Sequence, residues 1–130
     1  MNEQLQIFDA AVPHPSTSAN ALTLSVMRYI RNRGGQAERI SVVGRPLTTF
    51  QGGREIITGW AKSHMTVGTA DISATIKGRS VKIEVKVGSD AQSPAQRAYQ
   101  REVEAAGGLY YIARDMDNFV QWYQSLWGGR

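Results

Sequence analysis

Thr69-Ala70-Asp71-Ile72-Ser73-Ala74-Thr75-Ile76-Lys77-Gly78-Arg79-Ser80-Val81-Lys82-Ile83-Glu84-Val85-Lys86-Val87 is the stretch on which the fold turns. Ala70, Ile72, Ala74 and Ile76 alternate with Thr69, Asp71, Ser73 and Thr75, and Val81, Ile83, Val85 and Val87 alternate with Lys82, Glu84 and Lys86. Period-two alternation of this kind marks two strands with one buried face each. Gly78 supplies the positive φ of a tight turn, so the segment reads as a β-hairpin. A two-residue turn at Gly78-Arg79 pairs Ile76 with Val81, Ala74 with Ile83 and Ile72 with Val85, which keeps every apolar residue on one face. A slip of one residue would send one apolar set to the wrong side. In that register Asp71 faces Lys86, Ser73 faces Glu84, and Asp71 and Glu84 become diagonal neighbours with Cα atoms about 7 Å apart.

Two carboxylates so placed can hold one hard divalent cation, with Mg²⁺ or Mn²⁺ preferred for its oxygen ligands. Lys86 projects to the same side, where its ammonium could orient a water or stabilise charge on a phosphate. The same alternation is also met by an ordinary solvated hairpin face, since charged residues on exposed strands are common.

The chain has 130 residues, 42% of them hydrophobic, which suits one domain with a modest core. Cysteine is absent, which excludes disulfides and thiolate zinc sites. No apolar run is long enough to span a bilayer, and the N-terminus shows no signal-peptide pattern, so a cytoplasmic protein without membrane contact is expected. A net charge of +4 and a pI near 9.7 favour a polyanionic partner.

Around the hairpin, residues 1–18 read as an irregular N-terminal arm with Pro13, His14 and Pro15, ending in helix-capping residues, and residues 19–130 as a single domain. Leu22, Val26, Tyr29 and Ile30 recur at helical spacing from Ala21 to Arg33, and Gly34-Gly35 stops that helix. Arg28, Arg31 and Arg33 lie near its end, where the helix dipole favours cations and where contact with DNA is the sharper reading. Ile40-Ser41-Val42-Val43 reads as a short strand. Residues 44–67 read as a long connection without periodicity. It carries Arg45, Arg54, Lys62 and His64 just before the Asp71 strand, which suits a DNA-contacting flap, and Lys82 adds a further candidate cation for DNA from the hairpin itself.

Ser93-Pro94 opens a second helix, with Ala95, Tyr99, Val103 and Ala106 as its buried stripe and Gln96 beside it. Leu109–Ala113 is a last strand, placed in a mixed sheet by the second helix as it crosses over. Asp115 caps a final helix whose Phe119, Trp122, Tyr123, Leu126 and Trp127 offer a core or a subunit interface, with base stacking as the weaker alternative.

Gly68-Thr69-Ala70-Asp71, Glu84-Val85-Lys86, Gln92-Ser93-Pro94-Ala95-Gln96 and the helix close at Ala106-Gly107-Gly108 together resemble the PD-(D/E)xK nuclease superfamily. Within it the chain is most similar to the small stand-alone VRR-NUC nucleases of phages and bacteria. The resemblance covers Gly68 to Val120, and more loosely the helix at Ala21–Arg33. It implies a restriction-endonuclease-like αβββαβ core, an α/β fold with a mixed sheet flanked by helices. It also implies metal-dependent hydrolysis of DNA, with Asp71, Glu84 and the Val85 carbonyl on Mg²⁺ or Mn²⁺. Lys86 and Gln96 would be the further catalytic residues, and no small-molecule cofactor is expected. Stand-alone members resemble four-way-junction resolvases, which implies a homodimer whose two sites cut opposed strands. The sequence departs from the family twice. Ala70 stands where the name-giving proline would be, and the first helix lacks the acid that many members carry there. The alternative is a DNA-binding module that keeps the fold with weak or no catalysis.

Overall fold

The computed structural model describes residues 18–40, 45–61 and 67–128. Most of the proposed N-terminal arm, with His14, and Ser41, Val42, Val43, Lys62 and His64 lie outside the described residues. In chain order the elements are α1 (Ala19–Asn32), β1 (Gln36–Arg39), β2 (Arg45–Gln51), β3 (Arg54–Ala61), β4 (Ile72–Ile76), β5 (Arg79–Val85), α2 (Pro94–Ala105), β6 (Leu109–Ala113) and α3 (Met116–Trp127). The protein is α/β with a mixed four-stranded sheet in the order β1-β4-β5-β6, and β2 and β3 form a separate two-stranded ribbon.

β4 and β5 pair antiparallel, but two residues away from the expected register. The turn is Lys77-Gly78, and Ile76 pairs with Arg79, Ala74 with Val81 and Ile72 with Ile83. Both turn residues have positive φ, 51° at Lys77 and 80° at Gly78, as a type I′ turn requires. Because the shift is even, the apolar face is unchanged. Ile72, Ile76, Val81 and Ile83 are at most 1% exposed.

That face is covered by α1 and α3. Ser18 caps α1 by accepting the Ala21 N–H, and Leu22, Val26 and Ile30 recur on one buried side. Burying each such side chain contributes about 1.5–3 kcal/mol. The α1 end is closed by Gly34, and Arg31 donates through Nε and Nη2 to the Ala37 carbonyl at 3.1 and 2.7 Å. Arg33 lies over the Tyr29 ring at 3.6 Å, a cation–π contact. Arg31 and Arg33 are thus engaged within the fold.

Several expectations give way here. Among the described residues the first strand is Gln36–Arg39, directly after the Gly34-Gly35 turn, and its polar composition hid it from a search for apolar residues; the strand expected at residues 40–43 lies almost wholly outside the described residues. Residues 44–67 are no structureless connection, because Gly52-Gly53, both at positive φ, turn β2 into β3. No residue of α2 is fully buried, and Ala106 is its exposed C-cap. The aromatic face of α3 is spent inside the molecule. Phe119 and Tyr123 are core, Trp122 stacks on Tyr111 at 4.4 Å, and Trp127 packs edge-on to Trp122, leaving Leu126 as its exposed apolar residue. This removes the argument that α3 presents a spare subunit interface.

Gly68 is where the chain enters the central hairpin, at φ 85° and hard against α2. A Cβ there would lie 2.4 Å from the Ala95 carbonyl oxygen and 2.9 Å from the Gln96 nitrogen. Gly107 shares the positive φ but faces open space. Gly68→Ala is expected to cost more than about 2 kcal/mol in urea unfolding, against about 1 kcal/mol for Gly107→Ala, which carries backbone strain alone. Equal losses would mean that the close approach to α2 contributes nothing.

Candidate functional site

The register observed in the hairpin moves Asp71 from a diagonal position to one directly opposite Glu84. Asp71 sits just before β4, and its Oδ2 accepts the Val85 N–H at 2.8 Å, extending the pairing one step past the ladder. The Ile40 N–H bonds the Asp71 carbonyl at 2.8 Å, so Asp71 is held by its backbone as well as its side chain.

Glu84 is the unusual group. It is 4% exposed, where an exposed strand face had been expected. The cover is α2, which crosses the polar face of the sheet between β5 and β6. Ser93 and Gln96 form a capping box at its start. The Ser93 Oγ accepts from the Gln96 N–H at 3.1 Å, and the Gln96 Oε1 accepts from the Ser93 N–H at 2.9 Å. The other end of the same amide, Nε2, donates to Glu84 Oε2 at 2.7 Å. Lys86 Nζ lies 3.4 Å from that oxygen.

Glu84 Oε1 is buried without a donor. Burial, and next the charge of Asp71, raise the Glu84 pKa from 4.5 to about 7, with Lys86 opposing. A proton on Glu84 would be shared with Asp71. When both carboxylates are ionised, two acceptor-only groups face one another. Such a pair is completed by a proton or by a cation, so the donor set fits a divalent ion of Mg²⁺ type. Asp71 and Glu84 supply carboxylate oxygens and Val85, 7% exposed, a backbone carbonyl. Among the described residues no third acid or histidine joins them.

The structure therefore brings together Asp71, Glu84, Lys86 and Gln96, with Val85 between. Of the cations proposed for DNA, Lys82 and Arg54 have described side chains, and they lie in different sheets. Lys82 is half-buried with its Nζ on Ser73 Oγ at 2.8 Å, on the same sheet face as Glu84. Arg54 is exposed at the tip of the β2–β3 ribbon. Of Arg45 only the backbone is described, and Lys62 lies outside the described residues.

Sequence reasoning missed Tyr110 and Tyr99, which floor the site. Tyr110 pairs beside Lys82 in the parallel ladder, and its hydroxyl meets Gln92 Nε2 at 3.3 Å. Tyr99 packs edge-on to Tyr110 at 6.3 Å and hydrogen-bonds the Ala70 backbone. Burial raises both phenol pKa values, and the nearby charges of Glu84 and Asp71 raise that of Tyr110 further. The alternation of Tyr110 with Tyr111 along β6 was the available signal. No family model matches the chain, and no curated protein matches it.

A carboxyl whose pKa is higher folded than unfolded holds its proton better in the native state. Its contribution to stability is full below pH 4.5 and falls as pH rises through about 7. A shift of this size is worth up to about 3 kcal/mol. Without divalent metal, Glu84→Gln keeps an acceptor for Gln96 and removes the charge. Urea unfolding is expected to show the variant about 2 kcal/mol more stable than the parent at pH 8, with the gap closing near pH 5. A pH-independent gap would show that burial of the charge is not its source.

Proposed function

We propose that the protein is a divalent-metal-dependent nuclease that hydrolyses phosphodiester bonds in DNA. The observation that carries this reading is the facing pair of Asp71 and the buried Glu84, whose Oε1 has no donor, with Lys86 Nζ 3.4 Å from its Oε2 just beyond the end of β5. The element order also supports it. With the β2–β3 ribbon set aside, the run from α1 to β6 is helix, three strands, helix, strand, the αβββαβ order of restriction-endonuclease-like cores. The positive net charge agrees with a polyanionic substrate.

Asp71, Glu84 and the Val85 carbonyl would hold the ion, which when bound supplies Lewis acidity and a water of lowered pKa. Gln96 fixes the Glu84 carboxylate through Oε2 and leaves Oε1 for the shared site. Lys86 is a compact point charge beside the acids, placed to orient the attacking water or to stabilise charge on the phosphate. Cleavage of paired strands at a junction would need a two-fold dimer. With the α3 aromatics used in the core, its interface would have to lie elsewhere.

A second reading is a catalytically weak DNA-binding module of the same fold. Two observations favour it: among the described residues no third acid or histidine joins the pair, and the first turn of α1 contains no acid.

Incubation with duplex, single-stranded, forked and four-way-junction DNA, with Mg²⁺, Mn²⁺ or chelator, separates these readings. The parent should cut in metal and be silent in chelator. Asp71→Asn should lose more than the roughly 10–100-fold that removal of an outer partner of a metal costs. It should also lower the Glu84 pKa, because the charge beside it is gone. Cleavage at the parent rate by this variant would place the chemistry elsewhere.

Lys86→Ala should lower single-turnover cleavage far more than Mn²⁺ affinity measured by calorimetry. Lys86→Arg should restore little, since a planar guanidinium is a poor substitute for a compact ammonium. Lost metal binding with unchanged chemistry would assign Lys86 the opposite role.

A further inference from the structure

Asp71 precedes β4, and both ladders of that strand end at Ile72. This acid therefore stands one residue beyond regular pairing, on a chain that enters through Gly68 against the first turn of α2. Two bonds hold it from the sheet. The Ile40 N–H donates to its carbonyl and the Val85 N–H to its Oδ2, each at 2.8 Å. The second of these occupies a carboxylate lone pair, in a group whose lone pairs a metal would also use. A third hold comes from the helix. Ala70 is 1% exposed, and a buried backbone N–H must find an acceptor. The Tyr99 hydroxyl supplies it. Burial and next the charge of Glu102 raise the phenol pKa, and the Ala70 N–H opposes them, as a donor to the hydroxyl oxygen does.

We propose that Tyr99 is a positioning residue for the metal-binding pair, fixing Asp71 through the Ala70 backbone as Gln96 fixes Glu84. The proposal rests on the divalent-metal reading of that pair and adds how its two halves are kept in line.

Gln96 and Tyr99 are three residues apart, hence neighbours on one face of α2. Gln96 Nε2 reaches Glu84 Oε2 at 2.7 Å, on β5, and the Tyr99 hydroxyl reaches the segment that leads into β4. One helical turn thus ties together the two strands that bring the acids. The Tyr99 ring packs edge-on against Tyr110 at 6.3 Å, so the hydroxyl is carried on a braced group. Two ionised carboxylates repel when no cation lies between them, and a hold from outside the pair keeps their spacing ready for one. Packing alone is the plainer role for a half-buried tyrosine on this helix. The hydroxyl separates the two roles, because packing needs only the ring.

Tyr99→Phe keeps the ring and deletes the hydroxyl. Tyr111→Phe makes the same change on the opposite face of the sheet, where Tyr111 stacks on Trp122. Amide hydrogen exchange in chelator is the first measurement. Tyr99→Phe is expected to speed exchange at Val85, the amide bonded to Asp71, by about three- to tenfold, the scale of one hydrogen bond. Val81 and Ile83 in the same strand should keep the parent rate. Calorimetry with Mn²⁺ alone should show about tenfold weaker binding, as for other outer partners of metal ligands. Saturating Mn²⁺ should then restore most of the cleavage, since a ligand has lost its support and no reacting group is missing. Tyr111→Phe should change none of these. An unaltered Val85 amide in Tyr99→Phe overturns the proposal. So does faster exchange with unchanged Mn²⁺ affinity, which makes the bond structural only, and so do equal effects of the two variants, which make both a general loss of packing. A parent that neither binds Mn²⁺ nor cuts DNA overturns the nuclease reading and the role of Tyr99 with it, and that failure is told apart because it appears before any substitution.

Discussion

The Lys77-Gly78 turn is the constraint from which the rest of the site follows. Two consecutive residues at positive φ allow one register between β4 and β5, with Ile72 on Ile83. That register carries Asp71 to the position facing Glu84, where its carboxylate accepts the Val85 N–H. A register two residues away would bury the same isoleucines and valines and leave the core indifferent. It would also set Asp71 across from Lys86 and form a surface ion pair in place of an acidic pair. Packing therefore chooses the faces of this hairpin, and the turn alone chooses its chemistry.

The two faces of the sheet do different work. Toward α1 and α3 the interior is apolar and continuous from Leu22 to Tyr123. Toward α2 the layer is polar, built of Ser73, Lys82, Glu84, Tyr110 and Gln96, and the helix covering it has no fully buried residue of its own. A cover of this kind excludes water from Glu84 without filling the space with hydrocarbon. Desolvation, the largest cause of the raised Glu84 pKa, arises from that thin lid. Stability is lowered where the acid is buried, as is usual for sites that must hold charge in readiness.

Much of this was legible in the sequence, for identifiable reasons. α1, α2, β6 and α3 carry both periodicity and punctuation: Ser18, Ser93 and Asp115 are N-caps, and Gly34 stops α1. The grouping of Asp71, Glu84, Lys86 and Gln96 was legible because alternation places the first three on one face and the Ser-Pro-x-Gln start places the last. The register was not, since an even slip leaves the hydrophobic pattern intact. β1, with the composition Gln-Ala-Glu-Arg, has one buried residue and no pattern to find. The β2–β3 ribbon was hidden because Leu47, Phe50 and Ile57 are exposed, and a search for a buried face passes over them. The burial of Glu84 is a tertiary fact: it depends on where α2 lies, which no local pattern encodes.

Gln96 serves two structures with one amide. Its oxygen closes the capping box at the start of α2, and its nitrogen holds Glu84. The first turn of a helix is also where fraying begins, at free energies well below that of global unfolding. Each opening of that turn would release the Glu84 carboxylate and admit water to it. The order of the acidic pair is thus tied to the least stable turn of its covering helix. On warming, the site should disorder while the apolar side of the sheet is still intact, so the working temperature range of the centre is set by a helix end and not by the core.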